Sequence, residues 1–239
     1  MADPFVHLHV HSDYTLLDGA IRIERLVARA AQLGMPALAL TDGGNLFGAV
    51  EFHEACSRHG LKPILGMEVY LTRGSRFDKT PRSARGLDHL VLLAREQAGL
   101  KNLMRLSTAG YLEGFYYRPR VDYELLEEHA EGLIALSSGM SGALARELLA
   151  GRPRQALEMA GRYKEIFGGR FFVEVQDHGI PHQRALIPEL VDVARKVGLP
   201  LVATNDVHYM TQAEAEAQEI LVLIQQQRTI AEPNRFSAG

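Results

Sequence analysis

Apolar runs of strand length recur along the chain and alternate with stretches whose apolar residues repeat at helical spacing. Such alternation predicts an α/β fold built from βα units around a parallel sheet. Seven runs read as strands, over residues 5–10, 37–40, 63–71, 87–93, 133–136, 171–175 and 199–203. Gly34 and Pro36 stop a helix over 21–33, and Gly198 and Pro200 stop another over 182–197. Thr211 with Glu214 makes a capping box that starts a last helix running to about residue 226. No internal repeat or low-complexity tract interrupts the series.

Parallel barrels carry their chemistry at the C-terminal ends of the strands, and there this chain turns polar. The first run ends in His9 and His11, the second in Thr41 and Asp42, and the third passes through Glu68. The fifth ends in Ser137 and Ser138, the sixth carries Glu174 and Asp177, and the seventh leads to Asn205, Asp206 and His208. His89 stands near the start of the fourth, so the sequence leaves its place relative to the rim open. Glu68 sits among Ile64, Leu65, Val69 and Leu71, where a carboxylate is costly unless it is paired, hydrogen-bonded or bound to a metal.

Val6, Leu8 and Val10 alternate with His7, His9 and His11, which in an extended strand puts all three imidazoles on one face. Same-face residues stand about 6.5 Å apart, and two imidazoles at that spacing can tilt onto one divalent cation about 2.1 Å from each nitrogen. On these residues alone, a metal-binding face and a solvated histidine face read equally well. Taken together, His9, His11, Glu68, Asp206 and His208 supply the nitrogen and oxygen donors of a hard or borderline divalent site.

With 239 residues and 46% hydrophobic content, the chain has enough material for one large or two small domains. Lys plus Arg total 26 against 29 Asp plus Glu, and a net charge of −3 gives no global field for nucleic acid. No apolar run of about 18 residues is present and residues 1–4 hold no signal-peptide core, so the reading is cytoplasmic, with no membrane partner. Cys56, the only cysteine, excludes an internal disulfide and reads as a packed thiol beside Phe52 and Ala55. Arg73, Arg76, Lys79, Arg82 and Arg85 fall in a segment with Gly74, Pro81 and Gly86, readable as a mobile basic loop that touches phosphates or as a solvated loop. Tyr116, Tyr117, Arg118 and Arg120 interleave aromatic and basic residues; packing against the barrel is preferred to stacking on bases.

Four segments carry a family likeness: His7-Leu-His-Val-His-Ser-Asp-Tyr-Thr-Leu-Leu-Asp-Gly19, Ala39-Leu-Thr-Asp-Gly-Gly-Asn-Leu-Phe-Gly-Ala49, Lys62-Pro-Ile-Leu-Gly-Met-Glu68 and Thr204-Asn-Asp-Val-His-Tyr209. Together with Phe115-Tyr-Tyr-Arg-Pro-Arg120 they resemble the polymerase and histidinol phosphatase (PHP) domain, in the form that opens bacterial DNA polymerase III alpha subunits. The resemblance implies a distorted seven-stranded (β/α)7 barrel, a DNA-directed DNA polymerase as the whole protein, and metal-dependent phosphoester hydrolysis, as in a 3′ to 5′ exonuclease, in active members. It implies that His9, His11, Glu68 and Asp206 ligate one metal, with Glu68 bridging to a second at His89, and that Asp18 and His208 serve a third. Its implied partners are DNA, the remaining polymerase domains and a separate proofreading exonuclease subunit.

The chain departs from the family pattern twice. Gly43 stands where metal-binding relatives carry His, and Gly139 where they carry Cys or His. Glycine offers no ligand, so the expectation is fewer than three ions of zinc, manganese or iron, and low or absent nuclease activity. Two alternatives follow: a non-catalytic structural and docking module, and a metal-dependent amidohydrolase, a barrel class that also opens with His-x-His. The expected division is a barrel over 1–210, then a last helix and the start of a connection over 211–239, in a piece of a longer polypeptide.

Overall fold

Alternation along each strand sorts the side chains into an inside and an outside. The computed structural model describes residues 5–231. Its elements are α1 (Ile23–Gln32), β1 (Ala37–Leu40), α2 (Ala49–His59), β2 (Lys62–Thr72), β3 (Asp88–Ala94), α3 (Gln97–Leu112), β4 (Arg120–Asp122), α4 (Tyr123–Glu128), β5 (Leu133–Leu136), α5 (Ala143–Leu149), α6 (Pro153–Phe167), β6 (Phe171–Val175), α7 (Pro181–Val197), β7 (Leu201–Ala203) and α8 (Ala215–Gln225). Ala39, Val91, Leu93 and Leu136 form a small inner cluster, packed by Leu8, Ile64, Ile134, Phe172 and Val202. Their strand neighbours Leu38, Leu40, Leu90, Leu92, Leu133 and Phe171 face outward into two larger clusters beneath the helices. Cys56 is buried in one of these, as a packed thiol.

The seven-stranded sheet runs β1-β2-β3-β5-β6-β7, with β4 beside β2. Pairs β1–β2, β2–β4, β5–β6 and β6–β7 are parallel, as the alternating pattern predicts. The wholly parallel expectation is corrected at β3, which runs antiparallel to both β2 and β5. No helix lies between β2 and β3, and a direct return allows antiparallel pairing where a parallel pair needs a crossover. β4 was not foreseen because Arg120, Val121 and Asp122 form no apolar run; all three are buried, and Asp122 caps α4 by accepting from the Leu125 N–H at 3.1 Å.

The strand expected over 5–10 is also corrected. Ala39 and Thr41 N–H groups donate to the carbonyls of His7 and Val10 at 2.9 and 2.8 Å; on the other side His11 N–H donates to Val207 O at 2.8 Å and Val207 N–H to His9 O at 3.1 Å. Residues 7–11 therefore close the ring between β1 and the chain just past β7, but a bend at His9 prevents a regular strand. The bend separates the three imidazoles. Leu8 packs inside the barrel, whereas His7 lines an outer groove with Val10, Leu26, Met35 and Leu38.

The capping box at Thr211 resolves differently from its expectation. Gln212–Glu214 is a 3-10 turn and the α-helix begins at Ala215. The Glu214 carboxylate accepts from the Met210 N–H at 3.1 Å and from Arg25 at 2.7 Å instead of closing on Thr211. The segment expected as a last helix and the start of a connection, over 211–239, lies from residue 232 on outside the described residues. Among the described residues, no helix is long and apolar enough to cross a membrane.

Candidate metal centre

One layer above the apolar inner cluster, the inward positions become polar. Glu68 and Tyr70 project from β2 on the same face, and Glu174 from β6. Because β3 is antiparallel, its first residues stand beside the last residues of β2, with His89 opposite Tyr70 and Val91 opposite Glu68. That direction brings His89 to the rim, which the sequence left open.

His9 Nε2 and His11 Nε2 lie 3.1 Å apart. Asp206 Oδ1 is 3.2 Å from the first and 3.4 Å from the second, and Glu68 Oε1 is 3.4 Å from His9 Nε2. Ligand atoms held tetrahedrally at about 2.1 Å from one ion stand about 3.4 Å from each other, so these separations fit a divalent cation. Groups behind the rings fix which nitrogens carry protons. A carboxylate only accepts, so His9 Nδ1 donates to Glu174 Oε1 at 2.8 Å, and in the neutral ring Nε2 is left bare. The Thr15 hydroxyl gives its proton to Asp42 Oδ1 at 2.7 Å, so its lone pairs accept from Gly43 N–H at 3.1 Å and His11 Nδ1–H at 3.0 Å. His11 Nε2 is likewise bare. Two bare nitrogens at this separation need a proton or a cation between them.

The remaining expected ligands surround this group. His89 Nδ1 meets Glu68 Oε2 at 3.0 Å. His208 stacks on His11 with ring centroids 4.3 Å apart; its Nε2 meets Asp206 Oδ1 at 3.0 Å and its Nδ1 the Asp18 carbonyl at 3.1 Å. The Asp18 carboxylate stands further out, 3.8 Å from His208 Nδ1. The Asp18 carbonyl also accepts from Gln218 of α8.

Charge in the centre is self-compensating. Burial alone raises the Glu68 carboxyl, but His89 and His9 outweigh it and hold its pKa well below the ordinary carboxylate range. Burial likewise opposes ionisation of Asp206, and His9 and His208 hold it well below its ordinary value. Burial opposes charge on His9, yet Asp206 and Glu174 raise its pKa well above 6.5. For His208 the same burial penalty is overcome chiefly by Asp206, and its pKa is pushed up to about 9.

Both departures from the family pattern are filled by other side chains. A Cβ added at Gly43 would lie 2.5 Å from the Tyr70 hydroxyl. One added at Gly139 would overlap the Gln176 amide, 2.5 Å from its Cδ, and Gly139 has a φ of +48° that side chains rarely adopt. Gln176 is held there, donating to Glu174 Oε1 at 2.8 Å and accepting from Gln183 at 3.3 Å.

Of the five basic-loop residues, three are engaged within the protein. Arg73 is gripped by Asp88 and Glu147, Arg76 by Asp122 and Glu113, and the Lys79 ammonium by the Glu113 carbonyl. Arg82 and Arg85 are exposed. Arg120 is fully buried and donates to the carbonyls of Gly114, Ser83, Arg76 and Asp78, which is packing as preferred above. Glu174, Thr15 and Asp42 are supporting residues absent from the expected ligand set. The signal for Glu174 was the one that marked Glu68, a carboxylate between Val173 and Val175 in an apolar strand.

A family model described as the PHP domain matches residues 7–178. The chain is 51% identical over 234 residues to the DNA polymerase III subunit alpha of Treponema pallidum and 44% identical over 238 residues to that of Aquifex aeolicus. Each alignment covers 97% of this chain and 20% of the relative, so the chain spans about a fifth of the length of the curated relatives it matches. Among solved structures, one described as a metal-dependent phosphoesterase from Bifidobacterium adolescentis aligns with a TM-score of 0.50 at 15% identity, covering 87% of this chain and 88% of that one. An amidohydrolase from Chromobacterium violaceum aligns with a TM-score of 0.51 at 19% identity, covering 85% and 87%. These two likenesses bear on the fold alone.

Proposed function

The chain belongs to the PHP domain family, and from that premise we propose that it is the PHP segment of a bacterial DNA polymerase III alpha subunit, built around one divalent ion and deficient in phosphoester hydrolysis. The observation that carries this reading is the convergence of His9 Nε2, His11 Nε2 and Asp206 Oδ1, all within 4.8 Å of one another, with Glu68 completing the set. The donor chemistry suits zinc, manganese or iron. A bound ion of this kind acidifies water and neutralises phosphoryl charge. The chain's own residues orient the donors: Glu174 holds His9, Thr15 and Asp42 hold His11, and Glu68 reaches from this group to His89.

Against a complete three-ion centre stand Gly43 and Gly139, with Tyr70 and Gln176 in the space that side chains there would need. The domain then serves as a structural and docking module for the polymerase, its DNA and its proofreading subunit in the cytoplasm, with the barrel over 1–210 and a last helix and the start of a connection over 211–239. The amidohydrolase reading rests on shared fold only.

Elemental analysis of the purified chain tests this, paired with a 3′-end digestion assay on single-stranded DNA. About one tightly held equivalent and no chelator-sensitive release of nucleotides is the expected result. Three equivalents with robust release overturns it.

A further inference from the structure

Among the described residues, the half-buried Arg76, Arg146 and Arg170 and the fully buried Arg120 all meet internal acceptors. Arg76 meets carboxylates and Arg120 meets carbonyls. Arg118, also half-buried, has as its polar partner among the described residues only the Tyr70 hydroxyl, at 3.4 Å from Nη1. In that contact the guanidinium is the donor, and no acceptor among the described residues takes the Tyr70 hydroxyl proton. Tyr70 is 7% exposed, and Arg118 beside its hydroxyl is only half-buried, so the pair stands between the interior and solvent. A buried hydroxyl and a guanidinium, both with donors to spare, converge on one place.

That place borders the centre. The Tyr70 ring stands edge-on to His89 with centroids 5.0 Å apart, and its hydroxyl fills the space above Gly43. Arg118 is fixed there by a tight turn: Tyr116 N–H donates to Arg118 O at 3.1 Å, and Tyr117 between them has a φ of 62°. A non-glycine residue in the left-handed region is strained and persists where the surroundings enforce it. Tyr117 itself is 76% exposed, so its own packing gives no reason for the strain. The consequence of the turn is the placement of Arg118.

We propose that Arg118 and the Tyr70 hydroxyl form an anion subsite for a phosphate group, on the side of the centre where Gly43 supplies no metal ligand. Two convergent donors, one of them charged and planar, match adjacent phosphate oxygens. The proposal rests on the single-ion reading to the extent that the bound ion offsets Glu68 and Asp206, which would otherwise repel the anion.

The test is calorimetric titration of the 239-residue chain with inorganic phosphate, in zinc-loaded and chelator-treated forms, with zinc content measured for every sample. Saturable binding is expected in the zinc-loaded wild type, weakened at least about tenfold in Arg118→Met and several-fold in Tyr70→Phe. Arg154→Met, exposed on α6, leaves it unchanged, and circular dichroism checks that each variant is folded. A trinucleotide with and without a terminal phosphate separates the sources. If the terminal phosphate strengthens binding to wild type but not to Arg118→Met, the anion is a nucleic-acid end; if only inorganic phosphate shows the Arg118 dependence, it is the free ion. Absence of saturable phosphate binding, or equal binding by wild type and Arg118→Met, overturns the subsite. A zinc stoichiometry other than about one overturns the single-ion reading instead, and the contrast between wild type and Arg118→Met still decides the subsite.

Discussion

Gly139 and the Gln176 amide exclude one another: any side chain at 139 would have to enter the volume in which Gln176 bonds to Glu174 and Gln183. Restoring the family's ligands at the two glycines is therefore not a matter of two substitutions. Gly139→Cys meets the amide and a φ of +48°, and Gly43→His meets the rigid Tyr70 ring. Each is expected to cost about 1–3 kcal/mol of stability, read by urea unfolding, and the double variant to gain no metal. Adding Tyr70→Ala and Gln176→Ala should relieve both overlaps and raise the metal content above that of the parent. A double variant that binds extra metal with full stability would show that neither overlap matters.

Glu174 Oε1 accepts from His9 Nδ1, Gln176 Nε2 and Thr204 Oγ1 together, and so fixes both the tautomer and the angle of the ring. Glu174→Ala should lower zinc affinity about 10- to 100-fold, as losses behind a ligand commonly do, in competition with a fluorescent chelator. Glu174→Gln keeps an acceptor for Nδ1–H and should lose less. Equal affinity in all three proteins would mean that His9 needs no support.

Acidity gives the metal-free and metal-loaded chains opposite trends. On folding, the His208 pKa rises from 6.5 to about 9, and that of His9 rises in the same direction. Stability from a raised pKa is complete below the unfolded value and is lost as pH climbs through the folded one. Glu68 and Asp206 are held below their ordinary 4.5 and 3.8, so their contribution disappears only in acid. The melting temperature of the metal-free chain should thus fall between about pH 6.5 and about pH 9. An ion competes with the proton on His9, so zinc affinity should rise over part of the same interval. Melting curves with zinc and with chelator, on either side of that window, check both signs.

The candidate ligand positions were legible because each breaks a local rule. Glu68 is a carboxylate in an apolar strand, and His9, His11, Asp206 and His208 sit where apolar runs end. The apolar runs themselves located the sheet, since burial on both faces leaves near-continuous hydrophobic stretches. What stayed hidden depends on residues far apart in the chain. The direction of β3, which decides the place of His89, follows from pairing rather than from its own composition. Arg73 looked free in its loop because Glu147, which grips it, is 74 residues away. Tyr70 carried no signal, as a tyrosine in a strand is ordinary, and Arg118 was read with Tyr116, Tyr117 and Arg120 as packing against the barrel. His7 was misplaced because alternation assumes an unbent strand.

Residues 7–11 close the ring between β1 and the chain beyond β7, and the same five residues carry His9 and His11. Their potential co-ligands, Glu68 on β2 and Asp206 past β7, belong to the two sides being joined. An ion held among these four side chains would act as a clasp, fastening the seam of the barrel. A metal held there would contribute to closure of the barrel independently of any hydrolysis.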